Sequence, residues 1–236
     1  MEESDLKQLT KPGMFSKFAA ADIERANFDK RNEELLYLGV KPDAVFIGDS
    51  ITQFWDMPLY LGGDEKLIVN RGIGGDITEN VLKRFEADVL QLEPRACICM
   101  AGINDAHELL ALPDTEESNR LVIGHTIANL GQIIKLAKAK RIPLALCSIT
   151  PSNCPADAAL EDRRNRMVPE LNRELKTLCD EEKIPYVDYY SAMVMQGTLK
   201  MNADYTRDGI HPNANGYTAM TKVLSSKLKG WCKLFT

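Results

Sequence analysis

No stretch of this chain approaches the roughly 18 uninterrupted apolar residues that a bilayer-spanning helix needs. No run of Lys and Arg occurs either. Lys+Arg number 29 against Asp+Glu 34, for a net charge of −5. A mildly acidic chain without a basic stripe offers no bulk charge for nucleic acid or an anionic membrane. The start, Met1-Glu2-Glu3-Ser4-Asp5, is acidic where a secretory signal is basic, and no apolar segment follows. Six cysteines are present, but none form a CxxC pair or a Cys/His cluster with zinc spacing. Cys97, Cys99 and Cys147 lie inside apolar runs, where a thiol behaves as a small hydrophobe. Together these features predict reduced cysteines, a cytoplasmic location and no metal. Repeats, low-complexity tracts and Pro/Gly/Ser-rich linkers are also missing. The 236 residues, 44% hydrophobic and 27% charged, therefore read as one globular domain, with residues 1–40 a helical extension packed on it.

What the chain does contain is alternation of short apolar runs with amphipathic stretches. Ala44-Val45-Phe46-Ile47, Leu67-Ile68-Val69, Ala96-Cys97-Ile98-Cys99-Met100, Leu144-Ala145-Leu146-Cys147 and Pro185-Tyr186-Val187 have the continuous apolar pattern of strands buried on both faces. Helical periodicity covers residues 21–39, 77–92, 117–140, 158–182 and 213–229. In the first of these, Ile23, Phe28, Leu35, Leu36 and Leu38 supply the apolar positions, and Pro169 should kink or split the fourth. Strand and helix in alternation predict an α/β fold: one parallel sheet with helices on both faces, and a ligand site beyond the carboxyl ends of its strands.

The segments at those ends are Gly48-Asp49-Ser50, Asn70 through Asp76, and Gly102-Ile103-Asn104-Asp105; Asp208-Gly209-Ile210-His211-Pro212-Asn213 precedes the last helix. Each has a purely structural reading. Ser50 with Gln53, Asp76 with Glu79 and Asp105 with Glu108 all fit capping boxes. Asp208-Gly209 is a turn dipeptide, and Asn213 suits a helix N-cap.

The chemical reading takes the segments together. A serine at a strand end, its own N–H opening a helix, is placed for nucleophilic attack but needs a base. Of three histidines, His125 lies mid-helix and reads as structural, while His107 has no dedicated carboxylate. His211 has Asp208 three residues before it, and Pro212 keeps the pair on an extended loop. Asp208 can then fix the His211 tautomer and leave Nε2 free for the Ser50 proton. Backbone N–H groups of Ser50 and of the Gly74-Gly75 turn, with the Asn104 side chain, would supply oxyanion donors from three strand ends. Phe54, Trp55 and Met57 follow Ser50 and could wall an acyl pocket or belong to the core.

Gly48-Asp49-Ser50-Ile51, Gly75, Gly102-Ile103-Asn104 and Asp208-Gly209-Ile210-His211, in that order, resemble the four sequence blocks of the SGNH hydrolases, or GDSL esterases and lipases. The resemblance covers roughly residues 42–228, and Ile51 replaces the Leu of the family's name. It implies a three-layer α/β/α flavodoxin-like sandwich with a five-stranded parallel sheet. It also implies Ser50, Asp208 and His211 as catalytic residues; Ser50, Gly75 and Asn104 as the oxyanion hole; and no cofactor. Asn70 through Asp76 is most similar to the platelet-activating-factor acetylhydrolase branch. The expected partner is a small-molecule ester, with an acetyl or other short acyl group, on a carbohydrate or small alcohol. Acyl transfer by the same residues and a non-catalytic module of the same fold are the alternatives, and a homo-oligomer is possible.

Overall fold

The computed structural model describes residues 19–61, 66–155 and 158–231. Helix α1 (Ala19–Tyr37) precedes strand β1 (Ala44–Gly48), which feeds the single-turn helix α2 (Ser50–Gln53) and the short α3 (Met57–Leu61). Then come β2 (Ile68–Gly72), α4 (Thr78–Asp88), β3 (Cys97–Met100), a 3₁₀ segment (Asn104–Ala111), α5 (Glu116–Ala139) and β4 (Leu144–Cys147). The chain ends with α6 (Ala158–Glu181), β5 (Tyr186–Val187), α7 (Tyr189–Met193) and α8 (Ala214–Lys227).

All strand pairs are parallel, in the order β2-β1-β3-β4-β5. This is the flavodoxin-like order, and its switch point lies where β2 and β3 flank β1. The register aligns Gly48 with Gly72 on one side and with Met100 on the other, so the segments after three strands emerge together. Alternate residues feed two cores. Ala44, Phe46, Ile98, Met100, Ala145 and Cys147 face α2, α3, α6, α7 and α8. Val45, Ile47, Cys97, Cys99, Leu144 and Leu146 face α4 and α5. Burial on both faces explains why these strands read as unbroken apolar runs.

Three expectations change. Strand β2 runs on through Asn70 and Arg71, because both polar side chains find partners: Asn70 holds the carbonyls of Thr52 and Trp55, and Arg71 holds Asn32. Pro169 does not split its helix, which continues unbroken from Ala158 to Glu181, with Val168 and Leu171 fully buried around it. Helix α1 docks by only part of its expected apolar set, with Leu35 and Leu36 half-buried against the core. Ile23 and Leu38 are exposed, whereas Arg25, Phe28 and Asn32 are buried. Arg25 pairs with Asp88 and Asp29, and Asn32 donates to Asp88. Both Arg25 and Arg71 lie against the Phe28 ring.

Cys97, Cys99, Cys147 and Cys179 are free and buried; Cys154 is free and half-buried. Cys232 lies outside the described residues, as do Met1–Asp5 and Lys233–Phe235. No helix among the described residues is long and apolar enough to cross a membrane.

Candidate active site

Ser50 is the first residue of α2, only 8% exposed. The expected Ser50–Gln53 capping box does not form. Asp49 is the N-cap, accepting from the Ile51 N–H at 2.9 Å. Gln53 reaches away from the helix and accepts from the Gly74 N–H at 2.8 Å. The turn that carries Ser50 is pinned from outside: Tyr217 donates its hydroxyl to Ile51 O, and Asn70 donates to Thr52 O and Trp55 O. At a single turn, the helix macrodipole adds little, and individual N–H groups carry whatever electrostatic effect exists.

Asp208 and His211 occupy a loop tied down by its own hydrogen bonds. Thr206 Oγ1 donates to His211 O and accepts from the Gly209 N–H. Gly209 has φ +89°, and a Cβ there would meet Asn153 O at 2.1 Å, so the position requires glycine. Asn213 caps α8 behind the loop, as its position implied.

The loop brings His211 to Ser50 across 161 residues of sequence. Nε2 lies 2.8 Å from Ser50 Oγ, and Nδ1 lies 2.6 Å from Asp208 Oδ2. Asp208 Oδ1 accepts from the N–H groups of Ile210 and His211. Its partial burial works toward a higher pKa. The hydrogen bonds from His211 and the two backbone amides outweigh that and hold it well below the usual carboxylate range. An ionised Asp208 accepts from Nδ1–H, which leaves the Nε2 lone pair facing the Ser50 hydroxyl.

The other candidate donors follow β2 and β3, whose ends flank that of β1. Gly75 is the third residue of a turn closed by Asp76 N–H to Ile73 O, with φ +81°. The Gly74 amide is occupied by Gln53, so of the two glycines Gly75 has the amide left for a ligand. Asn104 donates one amide hydrogen to Asp76 O at 3.0 Å, leaving its second for a ligand.

The Asp76–Glu79 and Asp105–Glu108 boxes do not form either. Asp105 instead caps α4 from a distance, accepting from Thr78 N–H and Thr78 Oγ1. Asp76 accepts from Arg84 Nε at 2.7 Å. Arg84 also donates to Asp88, Arg71 O and Gly48 O. It thus joins the ends of β1 and β2 to the turn beneath Asn104. Asp49, Asp76 and Asp105 are all buried, each adjacent in sequence to a candidate oxyanion donor. Burial pushes Asp49 up to about 7, and the charges of Asp105 and Asp76 add to that.

His107 is exposed, its Nδ1 2.9 Å from Asn104 O; His125 is exposed, 3.2 Å from Glu108. Neither joins Ser50. Trp55 and Met57 are core, while Phe54 is exposed against His211. A large cavity lined by Asn153, Cys154, Pro155, Met195, Leu199 and Lys200 contains none of the residues that converge on Ser50. Arg84 escaped the sequence reading, although a cation four residues before Asp88, between apolar Val81 and Phe85, marked it.

A family profile for GDSL-like lipases and acylhydrolases matches residues 46–219. The chain belongs to that family. As a GDSL-like acylhydrolase it is a carboxylic ester hydrolase by class. It is 30% identical to a candidate acylhydrolase from Bacteroides fragilis NCTC 9343, covering 92% of this chain and 99% of that one, with a TM-score of 0.74. A structure described as a candidate platelet activating factor, from Streptococcus pneumonia, shares 25% identity over 89% of this acylhydrolase and 94% of its own chain, with a TM-score of 0.73. An acetylxylan esterase from Geobacillus stearothermophilus is 23% identical over 155 residues, 66% of this chain and 68% of the relative.

Proposed function

We propose that this GDSL-like acylhydrolase is a serine esterase acting through an acyl-enzyme on Ser50, with short acyl groups, acetyl above all, on carbohydrate alcohols as substrates. The observation that carries the proposal is the hydrogen-bonded run from Asp208 Oδ2 through His211 to Ser50 Oγ.

His211 Nε2 takes the Ser50 proton as Oγ adds to the ester carbonyl carbon. The Ser50 and Gly75 N–H groups and the Asn104 amide hold the oxyanion. Arg84 and Asp105 keep two of those donors in place through buried bonds. His211, now an imidazolium stabilised by Asp208, gives its proton to the departing alkoxide. Water then enters, His211 deprotonates it, and the acid leaves as Ser50 recovers its proton. A rigid hole of preset donors suits the oxyanion better than water does, because no reorganisation accompanies the charge.

The acetyl preference draws support from the acetylxylan esterase relative. The test is hydrolysis of p-nitrophenyl acetate, butyrate and octanoate at pH 8 by the wild type and Ser50→Ala. Turnover that falls with chain length and disappears in the variant is expected. Equal rates in both proteins would refute the assignment of Ser50.

A further inference from the structure

The two halves of an ester leave Ser50 in different directions. Once Oγ has added, the oxyanion turns toward Gly75 and Asn104. The alkoxy oxygen must lie against His211 Nε2 to receive its proton. The carbon skeleton of the alcohol therefore crosses whatever flanks the imidazole.

In this chain that flank is Phe54. Its ring meets the His211 ring edge to face, with centroids 5.1 Å apart and planes at 69°. It is 58% exposed, whereas Trp55 and Met57 beside it are buried in the core. Its backbone is fixed as the C-cap of α2, donating its N–H to Ser50 O at 2.9 Å. A phenyl ring carried on the same turn as Ser50, yet left uncovered, is not needed by the core beneath it.

We propose that Phe54 is a specificity-determining residue that receives the alcohol half of the ester, selecting pyranose alcohols whose flat C–H face covers the phenyl ring. This rests on the reading of Ser50 and His211 given above. A phenyl face is electron-rich and has no hydrogen-bonding group, so it attracts C–H edges and apolar ring faces without reading individual hydroxyls. Selection is therefore for a ring over a small alkyl alcohol, with tolerance of which hydroxyl carries the acyl group.

The experiment compares kcat/KM for an acetylated methyl xyloside with that for ethyl acetate, by pH-stat, in the wild type, Phe54→Ala, Phe54→Trp and Ser50→Ala. The xyloside-to-ethyl ratio is expected to fall about three- to tenfold in Phe54→Ala, the range of one aromatic contact. It should return in Phe54→Trp. A ratio unchanged in Phe54→Ala, whether both rates hold or both drop together, would overturn the proposal, since Phe54 would then at most steady His211. Ser50→Ala separates the two layers: activity surviving there on either ester would sink the Ser50 reading itself, whatever the ratio.

Discussion

Replacing Asp208 with Asn changes one atom and reverses one hydrogen bond. Asp208 Oδ1 accepts from the N–H groups of Ile210 and His211 at 2.9 and 2.8 Å, and an amide oxygen can keep both. The loop should therefore stay folded. The atom at the Oδ2 position, 2.6 Å from His211 Nδ1, becomes an NH₂ that can only donate. Nδ1 must then accept, the ring proton moves to Nε2, and the Ser50 hydroxyl at 2.8 Å faces a donor in place of a base. The imidazolium also loses its carboxylate. Loss of tautomer control of this kind costs on the order of 10⁴ in kcat in a Ser-His-Asp site, a magnitude taken from the serine-protease example. Stability should change by only about 1 kcal/mol, one hydrogen bond's net worth. Steady-state hydrolysis of p-nitrophenyl acetate and a thermal melt, run on the same preparation, test both halves. A variant that keeps kcat within tenfold of wild type would refute the role of Asp208. A variant that is inactive because it is unfolded would refute the account of the loop.

Asn104→Ala should lower kcat roughly 10²–10³-fold with little change in KM, the cost of one oxyanion donor; a rise in KM alone would place Asn104 in ground-state binding. Arg84→Met leaves Asp76 buried without its cation, while Asp88 keeps Arg25, and denaturant unfolding should show a loss of about 3–5 kcal/mol; a loss under 1 kcal/mol would contradict the role given to Arg84. Asp49 gives a pH signature. Its folded pKa of about 7 lies above the unfolded value near 3.9. The folded chain therefore keeps a proton that the unfolded chain has already released between those pH values, and stability falls as pH rises through that window. Asp49→Asn keeps an acceptor for the Ile51 N–H without titrating. The Tm of the variant relative to wild type should climb from pH 5 to pH 8, and a flat difference would be the contrary result.

The sheet was legible because strands buried on both faces carry short apolar runs, and in this chain those runs alternate with stretches of helical period. Ser50, Gly75, Asn104, Asp208 and His211 were legible as candidates because their residue types have chemistry and stand at strand ends or before the last helix. The supports beneath them were not. Gln53 looked like the partner of Ser50, yet Gly74 holds it, 21 residues away. Asp105 looked like the cap of its own segment, yet it caps α4, 27 residues back. Both sequence readings assigned a local partner to a side chain whose bond crosses between strand ends. Helix α1 misled in the same way, since Arg25 and Asn32 resemble solvent-facing residues until Asp88 and Arg71 are seen opposite them. Phe54 and Trp55 are neighbours of similar chemistry, and only the turn of α2 decides that one meets His211 while the other enters the core.

The most direct test of the account is intact-protein mass spectrometry after rapid acid quench of the enzyme with p-nitrophenyl acetate, followed by peptide mapping. The account predicts a transient gain of one acetyl group, located on Ser50, that vanishes in Ser50→Ala and persists longer in Asp208→Asn than in wild type. An acetyl group on another residue during productive turnover, or turnover that continues in Ser50→Ala, would contradict it.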